Sequence, residues 1–264
     1  KLHAPGLNVM YGDEAGNIAW WATAKLLKRP KHVNSKRILD GASGKDEPLG
    51  WYAFKDNPHA VNPERGFVHS ANNQPDSLEI DSLWYPGYYY HGSRSQAIET
   101  AVEAKDDWDI PSTQALLLNH ESPTYPGNAR ILLENLEPTN ELEAVAWQTL
   151  MNWKGTHAKE ESAPILYYAL TYFVLEEAMS DELDPLYFKE FIHSFYRLRS
   201  FPKFIRDSDS PWWDNVNTPE TETREEIVAN AFSKAVNAVA TRYGSSPGDW
   251  HWGDAHHVTH EHPL

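Results

Sequence analysis

Leu7-Asn8-Val9-Met10-Tyr11 leads through Gly12-Asp13-Glu14-Ala15-Gly16-Asn17 into Ile18-Ala19-Trp20-Trp21-Ala22. Two runs rich in aromatic and β-branched residues flank a short polar stretch with a glycine in it. That pattern predicts a β-hairpin over residues 7–24. Gly16 is the residue that reaches a positive φ at low cost. Asp13 and Asn17 invite comparison with a calcium loop, but the repeated acidic spacing of such a loop is missing, so a turn is the expectation.

Reading outward from the hairpin, residues 25–65 look loop-like. They hold Pro30, Pro48, Pro58 and Pro63 and the stretch Gly41-Ala42-Ser43-Gly44, punctuation that breaks regular elements. A short strand is expected at Gly66–Ala71. From Ser93 to Tyr243 the chain reads as mainly helical. Ser93 and Gln96, Asn140 and Glu143, and Thr223 and Glu226 each have the spacing of a capping box. Leu142, Val145, Ala146, Thr149, Leu150 and Trp153 form one helical stripe, and Val228, Ala231, Phe232, Ala235 and Val239 form another. Residues 163–179 are apolar on most faces and predict a buried helix. A further helix is expected over Leu186–Arg199. The layout is α+β, mostly helical with a small β-sheet portion. Three stretches are expected: a β-rich segment at 1–92, a helical region at 93–245 and a strand-like C-terminal segment at 246–264.

Composition narrows the function. The 264 residues carry a formal net charge of −15, and the basic footprint of a nucleic-acid binder is missing. There are no cysteines, which removes disulfides, thiolate metal sites and cysteine nucleophiles together. No apolar run approaches the roughly 18 residues of a membrane span. No basic leader followed by an apolar stretch opens the chain, so no signal peptide is expected within it.

Three segments carry candidate chemistry. The first is Asn62-Pro63-Glu64-Arg65-Gly66-Phe67-Val68-His69-Ser70-Ala71-Asn72-Asn73-Gln74-Pro75. An asparagine amide at a strand end can donate to a developing oxyanion. Asn-Asn is also plain turn chemistry, since Asn tolerates the left-handed region. The second is Arg94, at an expected helix start where the dipole disfavours a cation. Either a functional role or an ordinary salt bridge explains it. The third is the C-terminal run Trp250–Leu264 with five histidines and two acids. It suggests a metal, although its alternation with Val258 and Thr259 looks more like a strand.

At these segments the chain resembles the penicillin acylase (penicillin amidase) family. Asp13-Glu14-Ala15-Gly16-Asn17-Ile18 is similar to its "D-x-x-G-N-I" hairpin. Asn62-Pro63, Gly66 and Asn72-Asn73-Gln74-Pro75 are similar to its "N-P-x-x-G-(x)5-N-N-x-P" segment. Trp153-Lys154-Gly155 is close to "W-D-G", with Lys154 in place of the acid. Trp252-Gly253-Asp254-Ala255-His256 with His262-Pro263-Leu264 is similar to "W-G-x-x-H…H-P". The order of these pieces makes the resemblance specific. It implies an αββα N-terminal-nucleophile hydrolase fold, of which this chain is expected to be an internal piece of the β chain. It also implies cleavage of a linear N-acyl amide through an acyl-serine intermediate, with no cofactor required for catalysis.

By the same resemblance Asn72 is the oxyanion-hole amide and Arg94 an arginine beside the site. Lys1 is no nucleophile, so the nucleophile lies outside these residues, and the residues given are expected to be inactive alone. The expected partners are the substrate and the remaining α- and β-chain segments of one self-processed precursor, with no nucleic acid and no membrane. The expected location is periplasmic or secreted. The resemblance allows a structural calcium ion in the full-length protein. Asp76 and Asp81 are the candidate ligands, though neither matches the family's pattern.

Two other functions compete. Trp51, Trp84 and Tyr88–Tyr90 would suit an aromatic-rich carbohydrate or ligand-binding module without catalysis, but large aromatics are more often core. A metal hydrolase would use the C-terminal histidines.

Overall fold

The structure, a computed structural model, describes residues 6–260 except 76–78, 81–82 and 86. Asp76, Asp81 and His262-Pro263-Leu264 therefore lie outside the described residues. The chain divides into two compact units, Lys1–Asp109 and Ile110–Leu264. This divide falls 17 residues after the expected start of the helical region at 93, because the helix Ser93–Glu103 belongs to the first unit.

In the first unit, strands β1 (Leu7–Gly12) and β2 (Ile18–Thr23) form the expected hairpin, with Leu7 opposite Thr23 and Gly12 opposite Ile18. The short strands β3 (Leu27–Lys28) and β4 (Gly50–Trp51) pair with each other. Strand β5 (His59–Val61) pairs antiparallel with β2, giving a three-stranded sheet in the order β1-β2-β5. A two-stranded ladder, β6 (Glu79–Ile80) and β7 (Leu83–Trp84), precedes helix α1 (Ser93–Glu103).

The hairpin tip is fixed by one carboxylate. Asp13 accepts from Ala15 N at 3.0 Å, Asn17 N at 2.9 Å and Asn17 Nδ2 at 2.9 Å. These bonds hold its carboxyl below the usual carboxylate range, the Asn17 side chain being the largest cause. Gly16 sits at φ 82°. Asn62 then ties the tip to the end of β5: its Oδ1 accepts from Ile18 N and its Nδ2 donates to Asn17 Oδ1, both at 2.9 Å. The segment between β4 and β5 carries buried Asn57, whose Nδ2 donates to the carbonyls of Ala22 and Ala24 at 2.7 Å.

Residues 66–71 are not the expected strand. Their nearest approach to a ladder is an isolated parallel bridge between Asn73 and Tyr90. Asn72, at φ 61°, turns the chain out of extended geometry before pairing can spread.

The second unit is helical. Its helices are α2 (Ile110–Leu117), α3 (Tyr125–Leu133), α4 (Glu141–Asn152), α5 (Ala163–Met179), α6 (Pro185–His193), α7 (Phe195–Phe204), α8 (Arg224–Tyr243) and α9 (Trp252–Ala255). Helix α5 spans the residues expected of it and is buried around most of its circumference. It packs along α8, whose Val228, Ala231, Phe232, Ala235 and Val239 all lie in the core. Thr223 and Glu226 form the reciprocal capping box at its start. At α4, Asn140 caps Glu143 N, but the Glu143 carboxylate turns instead to Thr139 and Ser233. The stripe on α4 holds at Ala146, Leu150 and Trp153, whereas Val145 faces solvent.

The single helix expected over Leu186–Arg199 is two. It breaks at Ser194, whose N–H and hydroxyl both donate to Phe191 O, at 3.0 and 2.7 Å. A serine that satisfies the last turn of one helix is well placed to start the next. In the described part of the expected strand-like segment 246–264, residues 246–260, helical turns stand at Pro247–Asp249 and α9 instead. The cause is anchoring. Trp250 is fully buried and donates to Gly244 O, while Trp252 N and Gly253 N donate to Glu161 O and Lys159 O at 2.9 Å. With these two N–H groups bound to the preceding loop, and Asp254 N and His256 N bonded within the turn, residues 252–256 are closed to a ladder.

Candidate functional site: an asparagine amide and a guanidinium

Asn72 and Arg94, 22 positions apart in sequence, meet in the first unit. The Asn72 turn is pinned from several sides. Its carbonyl accepts from Tyr90 N at 2.7 Å, its N–H donates to Ser70 Oγ at 3.4 Å, and the preceding Ala71 is buried, its N–H bonded to Asn73 Oδ1 at 3.1 Å. Asparagine suits this position because its short polar side chain lowers the cost of the left-handed region.

Arg94 lies in the first turn of α1, which starts one residue earlier than its expected start at Arg94 and uses Gly92 rather than Ser93 as its cap. The Ser93 hydroxyl pairs with His91 Nδ1 at 2.7 Å instead. From there Arg94 places its guanidinium 5.1 Å from the Tyr90 ring centre. Its Nη1 donates to Asn72 Oδ1 at 3.4 Å and to Ala71 O at 3.5 Å. Both side chains are exposed.

This arrangement settles which way the amide points. A guanidinium can only donate, so the atom facing it is the carbonyl oxygen. The Asn72 Nδ2 is directed away, and no described residue accepts from it. A cation at Oδ1 also draws electron density from the amide and strengthens its N–H donors. The pair is thus a directed, polarised N–H donor at the surface.

The chain N-terminal to Asn72 holds a cluster that sequence reading missed. His69 Nε2 lies 2.8 Å from Ser95 Oγ and 3.5 Å from Glu99 Oε1, and Arg65 Nη1 is 3.5 Å from the same Glu99 oxygen. The only trace in the sequence is the helical i, i+4 spacing of Ser95 and Glu99, which puts both on one face of α1.

The other candidates do not assemble. Among the described residues, no group of three or more His, Cys, Asp or Glu gathers to hold a metal. In the C-terminal run His256 stacks on Trp252 at 4.8 Å, and Trp252 on Tyr168 at 5.1 Å. The aromatic segment is partly structural. Tyr85 is buried, and Tyr52 and Trp84 exchange hydrogen bonds at 2.8 and 2.9 Å, while Trp51 and Tyr88 are exposed. Within the second unit, partial burial and the neighbouring Asp181 carboxyl push Glu182 up to about 7. Asp181 itself accepts from Val216 N at 2.7 Å. A cavity of about 560 Å³ between α5, α6 and Lys234 of α8 includes neither Asn72 nor Arg94.

The family model described as penicillin amidase matches residues 1–264, the whole chain. The chain belongs to the penicillin amidase family. Among curated relatives, acyl-homoserine lactone acylase QuiP of Pseudomonas aeruginosa is 25% identical over 282 residues, covering 97% of this chain and 32% of the relative. Penicillin acylase 2 proenzyme of a Pseudomonas species is 26% identical over 281 residues, again covering 97% and 32%. The chain therefore spans about one third of the length of these relatives. Among solved structures, thermostable penicillin G acylase from Alcaligenes faecalis matches with a TM-score of 0.69 at 18% identity, over 94% of this chain and 49% of that one. The fold, helices with a small antiparallel sheet, is that of a penicillin amidase family member.

The remaining segments behind the resemblance have structural work to do. In Trp153-Lys154-Gly155, Trp153 is buried and donates to Thr156 O at 2.8 Å. Gly155, at φ 105°, lies so close to Ser122 that a Cβ would stand 2.3 Å from its carbonyl oxygen. In Trp252-Gly253, a Cβ on the glycine would stand 2.9 Å from Lys159 Cβ.

Proposed function

We propose that the full-length protein is a penicillin-acylase-like amidohydrolase. It cleaves a linear N-acyl amide through an acyl-serine intermediate, and the present residues supply the oxyanion-hole amide, Asn72, but not the nucleophile. The observation that carries this reading is the geometry of one side chain. Arg94 holds the exposed Asn72 carboxamide by its oxygen, and the Nδ2 donor has no acceptor among the described residues.

The chemistry follows from the family. A nucleophilic hydroxyl on a freed chain N-terminus loses its proton to the α-amine, which titrates near ~8 and can act as base around neutral pH. The oxygen attacks the acyl carbon, and the carbonyl oxygen becomes an oxyanion. Asn72 Nδ2–H donates to that oxyanion, with a backbone N–H as second donor. Collapse expels the amine, which takes the proton. Water then attacks the acyl-serine by the same route and releases the acid.

Arg94 has two effects in this scheme. It orients the Asn72 amide and polarises it toward stronger donation. Both acyl-homoserine lactones and penicillin-type amides fit the reaction, and the names of the relatives support both classes. The remaining α- and β-chain segments of a self-processed precursor complete the site, in a periplasmic or secreted enzyme. Catalysis needs no cofactor. A structural calcium ion remains an expectation whose candidate ligands, Asp76 and Asp81, lie outside the described residues, so no step is derived through it.

The test is N-terminal sequencing and intact mass of the protein made from the complete gene. A mature chain that begins with serine, N-terminal to Lys1, supports self-processing. A single uncut chain with no such serine removes the acyl-serine mechanism.

A further inference from the structure

His69, Ser95 and Glu99 have the residue types of a hydrolytic triad, but their geometry rules that role out. Ser95 Oγ and Glu99 Oε1 both face Nε2 of the imidazole, and Nδ1 is buried without a partner. A proton relay needs the hydroxyl on one ring nitrogen and the carboxylate on the other. Ser95 is also 6% exposed, out of reach of a substrate.

The cluster does something else. His69 lies three residues before Asn72, and Ser95 directly follows Arg94. Their 2.8 Å hydrogen bond fastens the segment leading to the amide onto the helix that carries the guanidinium. Glu99, one turn further along α1, takes up Arg65 and the His69 ring together. Arg65 returns to the same segment through Phe67 O at 3.2 Å. The His69 side chain is 8% exposed and Ser95 is buried, so their bond is shielded from water, unlike the exposed pair it supports, while Glu99 and Arg65 reach the surface. The pair needs support, because the Arg94–Asn72 bond at 3.4 Å is at the long limit of a hydrogen bond. A drift of a few tenths of an ångström between segment and helix would break it.

We propose that His69 is a positioning residue for the oxyanion amide: by clasping Ser95 and Glu99 it sets the distance between Asn72 and Arg94. This rests on the reading of Asn72 as oxyanion donor. The experiment uses the processed full-length enzyme and a chromogenic N-acyl amide, with kcat, KM and thermal midpoint measured for each variant. His69→Leu lowers kcat about tenfold and leaves KM within about twofold, since the contact acts on transition-state stabilisation. His69→Gln, whose amide N–H reaches the place of Nε2, recovers kcat to within about threefold of the parent. In an Asn72→Ala background, His69→Leu costs less than about twofold more, because coupled residues are not additive.

An equal loss in both backgrounds, or no rescue by Gln, would show that His69 serves packing alone and would overturn the proposal. If Asn72→Ala itself leaves kcat near normal, the oxyanion reading fails first, and the positioning role with it. If His69→Leu does not fold, Ser95→Ala carries the same expectations, since it removes the partner hydroxyl and leaves the imidazole.

Discussion

Replacing Arg94 with alanine separates the two effects assigned to it. Its hydrogen bonds to Asn72 Oδ1 and Ala71 O, at 3.4 and 3.5 Å, are long, and the side chain is exposed. A charge-assisted bond of good geometry contributes ~1.5–3 kcal/mol, so one at this length belongs at the low end, about 1.5 kcal/mol. The Tyr90 contact at 5.1 Å adds ~0.5 kcal/mol to stability at an exposed site. In the Michaelis complex the first contribution becomes catalytic, because the donor strength and aim of Asn72 Nδ2 depend on it. Arg94→Ala is therefore expected to lower kcat about tenfold, with a folding loss of about 2 kcal/mol or less. Arg94→Lys recovers only part of the rate, since an ammonium lacks the planar fork that reaches Oδ1 and the Ala71 carbonyl together. Steady-state kinetics on the full-length enzyme, with urea unfolding alongside, separates rate from stability. An unchanged kcat in Arg94→Ala, or a loss confined to KM, would refute the reasoning.

Two further predictions concern the helical unit. Gly155→Ala forces a positive φ on a residue with a Cβ and drives that atom to 2.3 Å from Ser122 O, where Ser122 N also donates to Gly155 O. A loss of roughly 3 kcal/mol or more is expected, read as a fall in thermal midpoint, and a variant as stable as the parent would contradict the close approach. Glu143 is buried; burial alone would raise its carboxyl, but hydrogen bonds from Ser233 and Thr139 outweigh it and hold the group below its ordinary 4.5. A depressed carboxyl adds stability that is present above the unfolded-state value and is lost as pH falls through the folded one. Urea unfolding of the parent should therefore weaken as pH falls below about 4.5, and Glu143→Gln should be weaker at pH 7 with a flatter acid profile; parallel profiles would exclude this linkage.

Local signals were readable where a residue type answers to its own neighbours. The hairpin at 7–24 followed from the Asp13–Asn17 turn, α5 from an apolar run, and the start of α8 from Thr223 and Glu226. Reading failed where a distant partner decided. Ser194 breaks a helix that its periodicity would continue. Trp250 and Trp252 look like strand residues until loop 159–161 takes their neighbours' N–H groups. Gly66–Ala71 has the composition of a strand and no partner to complete one among the described residues.

The site divides the same way. Asn72 and Arg94 stand out in the sequence separately, one as an amide donor at an expected strand end and one as a helix-dipole misfit. Only the fold shows that the guanidinium meets the amide oxygen rather than a carboxylate. His69 carried no signal, since its partners Ser95 and Glu99 are 26 and 30 positions away. The glycines within the segments that carry the resemblance were legible for a different reason. Gly16 and Gly155 occupy positive φ, and Gly155 and Gly253 touch neighbouring chain, so the fold restricts what can replace them.

The most direct test of the central claim is the kcat of Asn72→Ala in the processed full-length enzyme, on an N-acyl amide the parent hydrolyses. Removing one oxyanion donor is expected to lower kcat by ~10²-fold or more, with KM little changed and the fold intact. A kcat near the parent's in a folded, processed variant would return Asn72 to the role of a turn residue and take the oxyanion hole away from this part of the chain.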